Sequence, residues 1–580
     1  MKNKTLNRMK TMIGPYKKQI IFLTILSIII NVIVLIKPYI IKIIIDNFLE
    51  TKQEHIGNIS VTVIGYIYLT LVIVENILEY INRVKTNIVG ESVVCDLRNK
   101  LFYYMEYMNI KFHDKFQSGK WFVRIVSDTE DIFLLFSDVI TTILKDVFCV
   151  IGLFAIMVYI NYKLALASCI VIPLMIISSI VITKLLNKTY SAVKIVRTKL
   201  NTFFSESIYG IKLIKIFNRQ QEKQEECEKI TQEFKQTIKP NGYLQGLMHS
   251  VMFVIENLGI SILIGFIINQ YLGIELNIGV IYMFITYFKN IFEPINRLLE
   301  NIEVVEEAVT SIEKVYEILD KTDCLEDFES GKKIDKINGK IEFKNVWFAY
   351  EKENWVLKDV SFTINPGESV ALVGKTGSGK TTITNLINKF YTIQKGEILI
   401  DGININDINI IDLRRKIGTI LQDPFIYAKS LKDNVKLFDD ISDEKINEAI
   451  ELASASEFIN SLECGVDTIA RERGASFSAG EKQLIAFARI FALNPSIFIL
   501  DEATANIDTI TEQLVQKSVD ILSKDKTSIF IAHRLSTIVN VDKILVLNNG
   551  SIIEQGNHNE LVENGGYYSE LYSAYYSSLI

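Results

Sequence analysis

The chain has 580 residues, too many for one hydrophobic core, so two or more domains are expected. Hydrophobic residues make up 49% of it and the mean hydropathy is +0.23, which is high for a soluble protein and points to a membrane portion. A net charge of −6 with a pI near 5.7 gives no support for nucleic acid as a partner. The six cysteines, at 95, 149, 169, 227, 324 and 464, show no paired metal-ligand spacing and read as free thiols.

Lys2, Lys4, Arg8, Lys10, Lys17 and Lys18 precede a long apolar run over 20–48. No small-residue cleavage site follows it and it is too long for a signal peptide, so it reads as a retained helix. Further apolar stretches at 59–82, 137–160, 163–185, 244–272 and 276–300 are each near the ~20 residues a bilayer requires, which makes six spans. Long charged segments, 83–136 and 187–243, separate the second span from the third and the fourth from the fifth. The remaining loops, around 50–58, 161–163 and 270–277, are short and nearly free of basic residues. Because Lys and Arg are retained on the cytoplasmic side, the N-terminus and both long segments are expected there, in a multi-pass protein of the cell membrane.

The long segments keep helical periodicity and are expected to carry the membrane helices into the cytoplasm. Turn-bearing sections at 112–131 and 204–219 contain Phe112, Phe116, Trp121, Tyr209 and Phe217, too many apolar groups for a bare linker, and are expected to cap a neighbouring domain. Inside the spans, Glu75, Asp146, Glu256 and Glu293 fall about 20–25 Å from the outer ends at 1.5 Å per residue, with Lys145 and Lys289 close by. Two readings stay open for them: a mostly acidic layer lining a cavity for cationic or zwitterionic amphiphiles, or groups that meet water at the inner interface.

A polar stretch at 320–338, DKTDCLEDFESGKKIDKIN, is the natural domain boundary. The expected division is 1–320 for the transmembrane domain, 321–338 for the linker and 339–580 for an α/β domain of short apolar strands alternating with helices. Gly374, Lys375, Thr376, Gly377, Ser378, Gly379, Lys380 and Thr381, followed by Thr382, lie between a strand expected over 369–373 and a helix expected over 382–390. That is the phosphate-binding loop in its required strand–loop–helix context. Its glycines let backbone N–H groups converge on phosphates, and the helix N-terminus adds its dipole. Lys380 would reach the β- and γ-phosphates, and the Thr381 hydroxyl would ligate Mg²⁺.

Further residues narrow the family. Tyr350 precedes the loop strand and can stack on a purine. Gln422 ends an apolar pair and precedes Asp423-Pro424-Phe425. Ser478, Ala479, Gly480 and Glu481 open a helix expected over 482–492, a second N-terminal anion site. The strand expected over 497–500 delivers Asp501 to its carboxyl end, beside Glu502, where an Asp can hold Mg²⁺ and a Glu can polarise water. His533 follows a strand expected over 527–532, placed to touch a γ-phosphate or the attacking water.

In this order and spacing these residues make the chain resemble a half-size ATP-binding cassette (ABC) exporter of the multidrug and lipid type, over nearly its whole length. The resemblance implies a membrane all-α six-helix transmembrane domain with long cytoplasmic helix extensions, followed by an α/β P-loop ABC nucleotide-binding domain. It also implies that Tyr350 stacks on adenine, that 374–381 is the Walker A loop, and that Gln422 is the Q-loop glutamine, holding Mg²⁺ with Thr381 and Asp501. The stretch 471–483 would carry the signature, Asp501 would end Walker B with Glu502 as catalytic base, 505–508 would be the D-loop, and His533 the switch histidine. The sections 112–131 and 204–219 would carry coupling helices. Because such a signature serves the opposite subunit's ATP, a dimer is implied.

The signature departs from the family's Ser-Gly-Gly-Gln at two positions, with Ala479 for the first glycine and Glu481 for the glutamine. A Cβ restricts close backbone approach and a carboxylate adds negative charge beside a triphosphate. With Glu502, His533 and Walker A intact, this pattern favours one subunit of a heterodimeric exporter, with a homodimer still possible. About twenty residues precede the first span, so no leader-cleaving peptidase is expected. The expected activity is ATP-driven export of an amphiphilic drug, lipid or peptide across the bilayer; the alternative is an ATP-gated channel or regulatory membrane ATPase on the same architecture.

Overall fold

A computed structural model of the chain describes residues 2–50, 55–56, 59–268, 277–351, 354–437, 439–501, 509–524, 526–531 and 538–577. It divides into two compact units, one of residues 1–106 and 117–322, the other of 107–116 and 323–580.

The first unit is helical. Its long helices are α1 (Lys17–Ile44), α2 (Val61–Tyr107), α3 (Ile140–Ile160), α4 (Val171–Tyr209), α5 (Gln220–Ile268) and α6 (Ile278–Leu319). Long runs of Ile, Val, Leu and Phe without internal turn signals produce them, and the outward faces stay apolar: Ile21, Phe22 and Ile25 on α1, and Ile67 and Leu69 on α2, are exposed. Among the described residues, five helical stretches are long and apolar enough to cross a membrane. Helix α6, whose apolar half carries Lys289, Glu293 and Arg297, is not among them. Helix α4 packs along α5, while α3 packs on α6 and α1. Their shared core holds Leu153, Met157, Met175, Met252, Phe284 and Phe288, all buried. At Gly259 on α5 an added Cβ would lie 2.5 Å from the Phe288 ring, so hydrogen is the only side chain this crossing admits.

The carboxylates inside the spans each lie beside a cation. Glu75 meets Lys37 at 2.6 Å, and Lys145 meets Glu79 at 3.1 Å. Asp146, fully buried, accepts two hydrogen bonds from Arg297 at 2.7 and 3.0 Å, and Arg297 also bonds Glu293. Glu256 lies 3.8 Å from Lys289. The physical reason is the cost of a bare charge among apolar helices, which favours a counter-charge on the neighbouring helix.

The second unit is built on two sheets. The antiparallel one runs β2–β1–β4–β5, where β1 is Ile341–Phe348, β2 Leu357–Ile364, β4 Lys395–Ile400 and β5 Ile403–Asn404. The other runs β10–β9–β3–β8–β7–β6, with β3 Ser369–Val373, β6 Ile417–Ile420, β7 Ile497–Asp501, β8 Thr527–Ile531, β9 Lys543–Asn548 and β10 Ser551–Gly556. All pairings in it are parallel except the edge pairing of β9 with β10. Burial along β3, β7 and β8 matches their apolar runs at 370–373, 497–500 and 529–531, as expected where both faces of a parallel sheet are covered.

The section expected at 112–131 is split. Residues 107–116 belong to the second unit, and 117 onward to the first. Within the second unit, Asn109 N donates to Cys324 O at 2.9 Å and Glu326 N to Tyr107 O at 2.8 Å. Asn109 caps a short helix, Ile110–Lys115, by accepting from Phe112 N at 3.0 Å. Asp114 on that helix accepts a hydrogen bond from Tyr391, and burial, followed by that bond, pushes the Tyr391 phenol well above its usual range. The other section, near 204–219, stays in the first unit, where a helical turn, Ile211–Ile216, exposes Leu213, Ile216 and Phe217 beside exposed Ile208 and Tyr209.

Candidate nucleotide site

Strand register sets the site. Three of the parallel strands, β3, β6 and β7, each deliver a site residue to the same edge of the sheet. Gly374 follows β3, and Asp501 closes β7 opposite Ile531 of β8. Ile420 of β6 pairs with Leu500 of β7, so Gln422 emerges at the same edge and is exposed. The carboxyl edge of a parallel sheet is where such folds bind ligands.

The loop after β3 is shaped by its glycines. A Cβ at Gly374 would sit 2.3 Å from Leu547 O, and Gly379, at φ +109°, is the left-handed N-cap of α7 (Lys380–Ile387). The helix therefore starts two residues before the position expected from sequence. Lys380 is buried, and its ammonium donates to Gly374 O at 2.7 Å and Lys375 O at 3.2 Å, folded across the concave side of the loop. The buried Ser378 Oγ has no hydrogen-bond partner among the described residues. A buried ammonium folded over the loop, an orphaned hydroxyl and a helix N-terminus together fit a phosphate chain. Tyr350 stands beside this helix, its phenol 3.2 Å from Thr382 Oγ1, and its ring is flanked edge-on by Phe348 and Tyr391 at centroid distances of 4.9 and 5.0 Å.

The signature stretch opens α9 (Ala479–Leu493), again earlier than the expected 482. Ser478 is its N-cap, and Glu481 closes a capping box. Ser478 Oγ accepts from Glu481 N at 3.2 Å while the Glu481 carboxylate accepts from Ser478 N at 2.7 Å. Gly480 lies between them and is buried. Glu502, the 505–508 segment and His533 lie outside the described residues.

Two residues of α9 were not singled out from sequence. Gln483 Nε2 donates to Gln422 O at 3.1 Å. Arg489 donates to Phe425 O at 2.7 Å, to Asn434 O at 2.7 Å and to Asn434 Oδ1 at 2.9 Å, where Asn434 lies on α8 (Leu431–Lys436). Burial pushes the Arg489 guanidinium down to about 10, still charged at neutral pH. These bonds fasten the segment after β6 to the signature helix. Their acceptors, mostly backbone carbonyls, lie 55 to 64 residues away, so no local pattern announces them.

A sheet edge with a phosphate-binding loop, joined in one chain to membrane-crossing helices, defines a P-loop ATPase coupled to a membrane bundle. Residues 20–295 match the ABC transporter transmembrane region family and residues 357–505 the ABC transporter family. The chain is 36% identical over 491 residues to the probable multidrug resistance ABC transporter ATP-binding/permease protein YheH of Bacillus subtilis (strain 168), covering 83% of this chain and 72% of that one. It is 32% identical over 528 residues to the ATP-dependent lipid A-core flippase of Syntrophus aciditrophicus (strain SB), covering 91% and 87%. A solved bacterial Atm1-family ABC exporter with ATP bound shares the fold, with a TM-score of 0.78, 23% identity, and coverage of 96% of this chain and 98% of that one.

The chain belongs to the ABC transporters, as a half-transporter of the exporter type. It is a multi-pass membrane protein with a cytoplasmic ATP-binding domain, and ATP binding and hydrolysis drive its export activity. Exporters of this family act as dimers on membrane-embedded substrates.

Proposed function

We propose that this half-transporter exports an amphiphilic drug, lipid or peptide by alternating access, with ATP held at the carboxyl edge of its parallel sheet. Lys380 and the N–H groups of Gly374, Lys375, Thr376, Gly377, Ser378 and Gly379 bind the phosphates, with Thr381 and Thr382 at the head of α7. Tyr350 stacks on the adenine. Thr381, Gln422 and Asp501 would hold Mg²⁺, which when bound neutralises phosphate charge. Glu502 orients the attacking water, and His533 stabilises charge on the γ-phosphate. Ser478, Gly480 and Glu481 face the ATP of the second subunit. The transmembrane domain takes residues 1–320 with six spans and a cytoplasmic N-terminus, and 339–580 is the nucleotide-binding domain after a 321–338 linker.

The observation that carries this reading is the buried Lys380 ammonium, resting on two carbonyls in a glycine-built loop beside the orphaned Ser378 hydroxyl. The test is Glu502→Gln: ATPase should fall at least ~100-fold while ATP binding persists. Retained hydrolysis would refute the assignment. ATP-dependent accumulation of cargo in inverted vesicles separates an exporter from a channel.

For the second subunit we favour a different half-transporter. The Glu481 carboxylate occupies the positive end of its own helix at 2.7 Å from Ser478 N, which supports a weakened signature beside intact hydrolytic residues. The exposed apolar set of Ile208, Tyr209, Leu213, Ile216 and Phe217 supports a partner surface in either kind of dimer. A stable, robustly active dimer from this protein purified alone would overturn the heterodimer.

A further inference from the structure

Tyr350 stands two residues past the end of β1, on the connection to β2. The foot of that connection is closed where Val356 N donates to Phe348 O at 2.8 Å. On its other side, the pairing of β1 with β4 runs out at Trp347 opposite Lys395, and Gln394 N donates to Trp347 O at 3.3 Å.

Beyond that point a side chain continues the ladder. Ala349 N donates to Gln394 Oε1 at 3.0 Å, and Gln394 Nε2 donates to Ala349 O at 2.9 Å. One partner is a donor and the other an acceptor, so a single orientation of the amide satisfies both. The Gln394 side chain thus imitates one further rung of β4. The carbonyl it holds belongs to the peptide that joins Ala349 to Tyr350. Gln394 is exposed and joins neither apolar core of the unit, so these two bonds are its main contribution.

The Tyr350 ring is steadied separately, edge-on by Phe348 and Tyr391 and through its hydroxyl by Thr382 Oγ1 at the head of α7. The residue is still 36% exposed, which leaves surface for a ligand. Stacking needs the ring set in place beforehand, because ordering a loop side chain on binding subtracts from affinity. Packing steadies the ring, and Gln394 fixes the backbone from which it springs.

We propose that Gln394 is a positioning residue for base recognition: its amide holds the Ala349–Tyr350 peptide so that the Tyr350 ring is preset to stack on the adenine. Gln394 acts through Tyr350 and does not touch the nucleotide. This inference rests on the assignment of Tyr350 as the stacking residue.

The test compares ATP with tripolyphosphate, which keeps the phosphate chain and lacks the base. Equilibrium binding is measured on the full-length protein in lipid nanodiscs without Mg²⁺, so that ATP is not consumed. Gln394→Leu, close in size but without the amide, should weaken ATP by ~3- to 10-fold and leave tripolyphosphate within ~2-fold. Tyr350→Ala should weaken ATP by at least ~10-fold, and adding Gln394→Leu to it should cost nothing more. Gln394→Ala repeats the comparison if the leucine variant expresses poorly. Unchanged ATP affinity in the Gln394 variants, equal losses for ATP and tripolyphosphate, or full additivity with Tyr350→Ala would overturn the proposal. Unchanged ATP affinity in Tyr350→Ala would instead refute the stacking assignment, and this inference with it.

Discussion

Replacing Glu481 with glutamine removes a charge from the head of the signature helix while changing little else. Glutamine at the third helical position still closes a capping box, so the reciprocal bonds with Ser478, now 3.2 and 2.7 Å long, can persist. What disappears is the anion competing with an incoming γ-phosphate for the same helix end. A unit charge about 7 Å from a phosphate contributes between about 0.6 kcal/mol at a water-like dielectric and about 2.4 kcal/mol at an effective dielectric of about 20. That corresponds to roughly 3- to 60-fold in ATP affinity at the site this signature serves. The assay is ATPase rate against ATP concentration for the assembled transporter, with a thermal melt to confirm equal stability. The half-saturating ATP concentration should fall by a factor in that range. An unchanged or higher value in a variant that melts like wild type would refute the idea that this carboxylate weakens the site.

Other substitutions probe the remaining contacts. Arg489→Gln leaves Phe425 and Asn434 carbonyls without their donor and should cost about 2–4 kcal/mol of stability, read by chemical denaturation. Arg297→Ala leaves fully buried Asp146 unpaired and should cost about 3–5 kcal/mol, whereas the double variant Arg297→Gln with Asp146→Asn should recover most of the loss in a melting experiment. Tyr391→Phe removes the bond to Asp114 and should raise hydrogen exchange at the backbone of residues 110–115, with little change at β3. Chelation of divalent ions should abolish ATPase and be reversed by added Mg²⁺.

Strand β3 is legible because four apolar residues, Val370 to Val373, stand just before Gly374, and its observed bounds are those expected. Both helix starts were placed late for the same reason: the initiating devices are backbone and capping features. At α7 it is the left-handed Gly379, and at α9 it is the Ser478–Glu481 box, whose S-x-x-E spacing lies within the stretch that reads from sequence as an N-terminal anion site. The charge pairing in the membrane layer was missed for a different reason. Arg297 and Lys37 sit 151 and 38 residues from their partners Asp146 and Glu75, and helix packing decides who meets whom. Arg489 belongs to this class too, since a backbone carbonyl has no sequence signature.

The membership of residues 107–116 in the ATP-binding unit has a consequence for biosynthesis. This piece leaves the ribosome more than 200 residues ahead of Cys324 and Tyr391, the groups that receive it. The cover over Tyr391 therefore closes by a contact of very high sequence separation, and such contacts form late. A fragment starting at 323 lacks one strand-like bridge, Met108 with Leu325, and the short helix that covers Tyr391. A chain cut at 323 would keep both apolar cores of the ATP-binding unit, which draw nothing from 107–116, but would bare the face around Tyr391 to water.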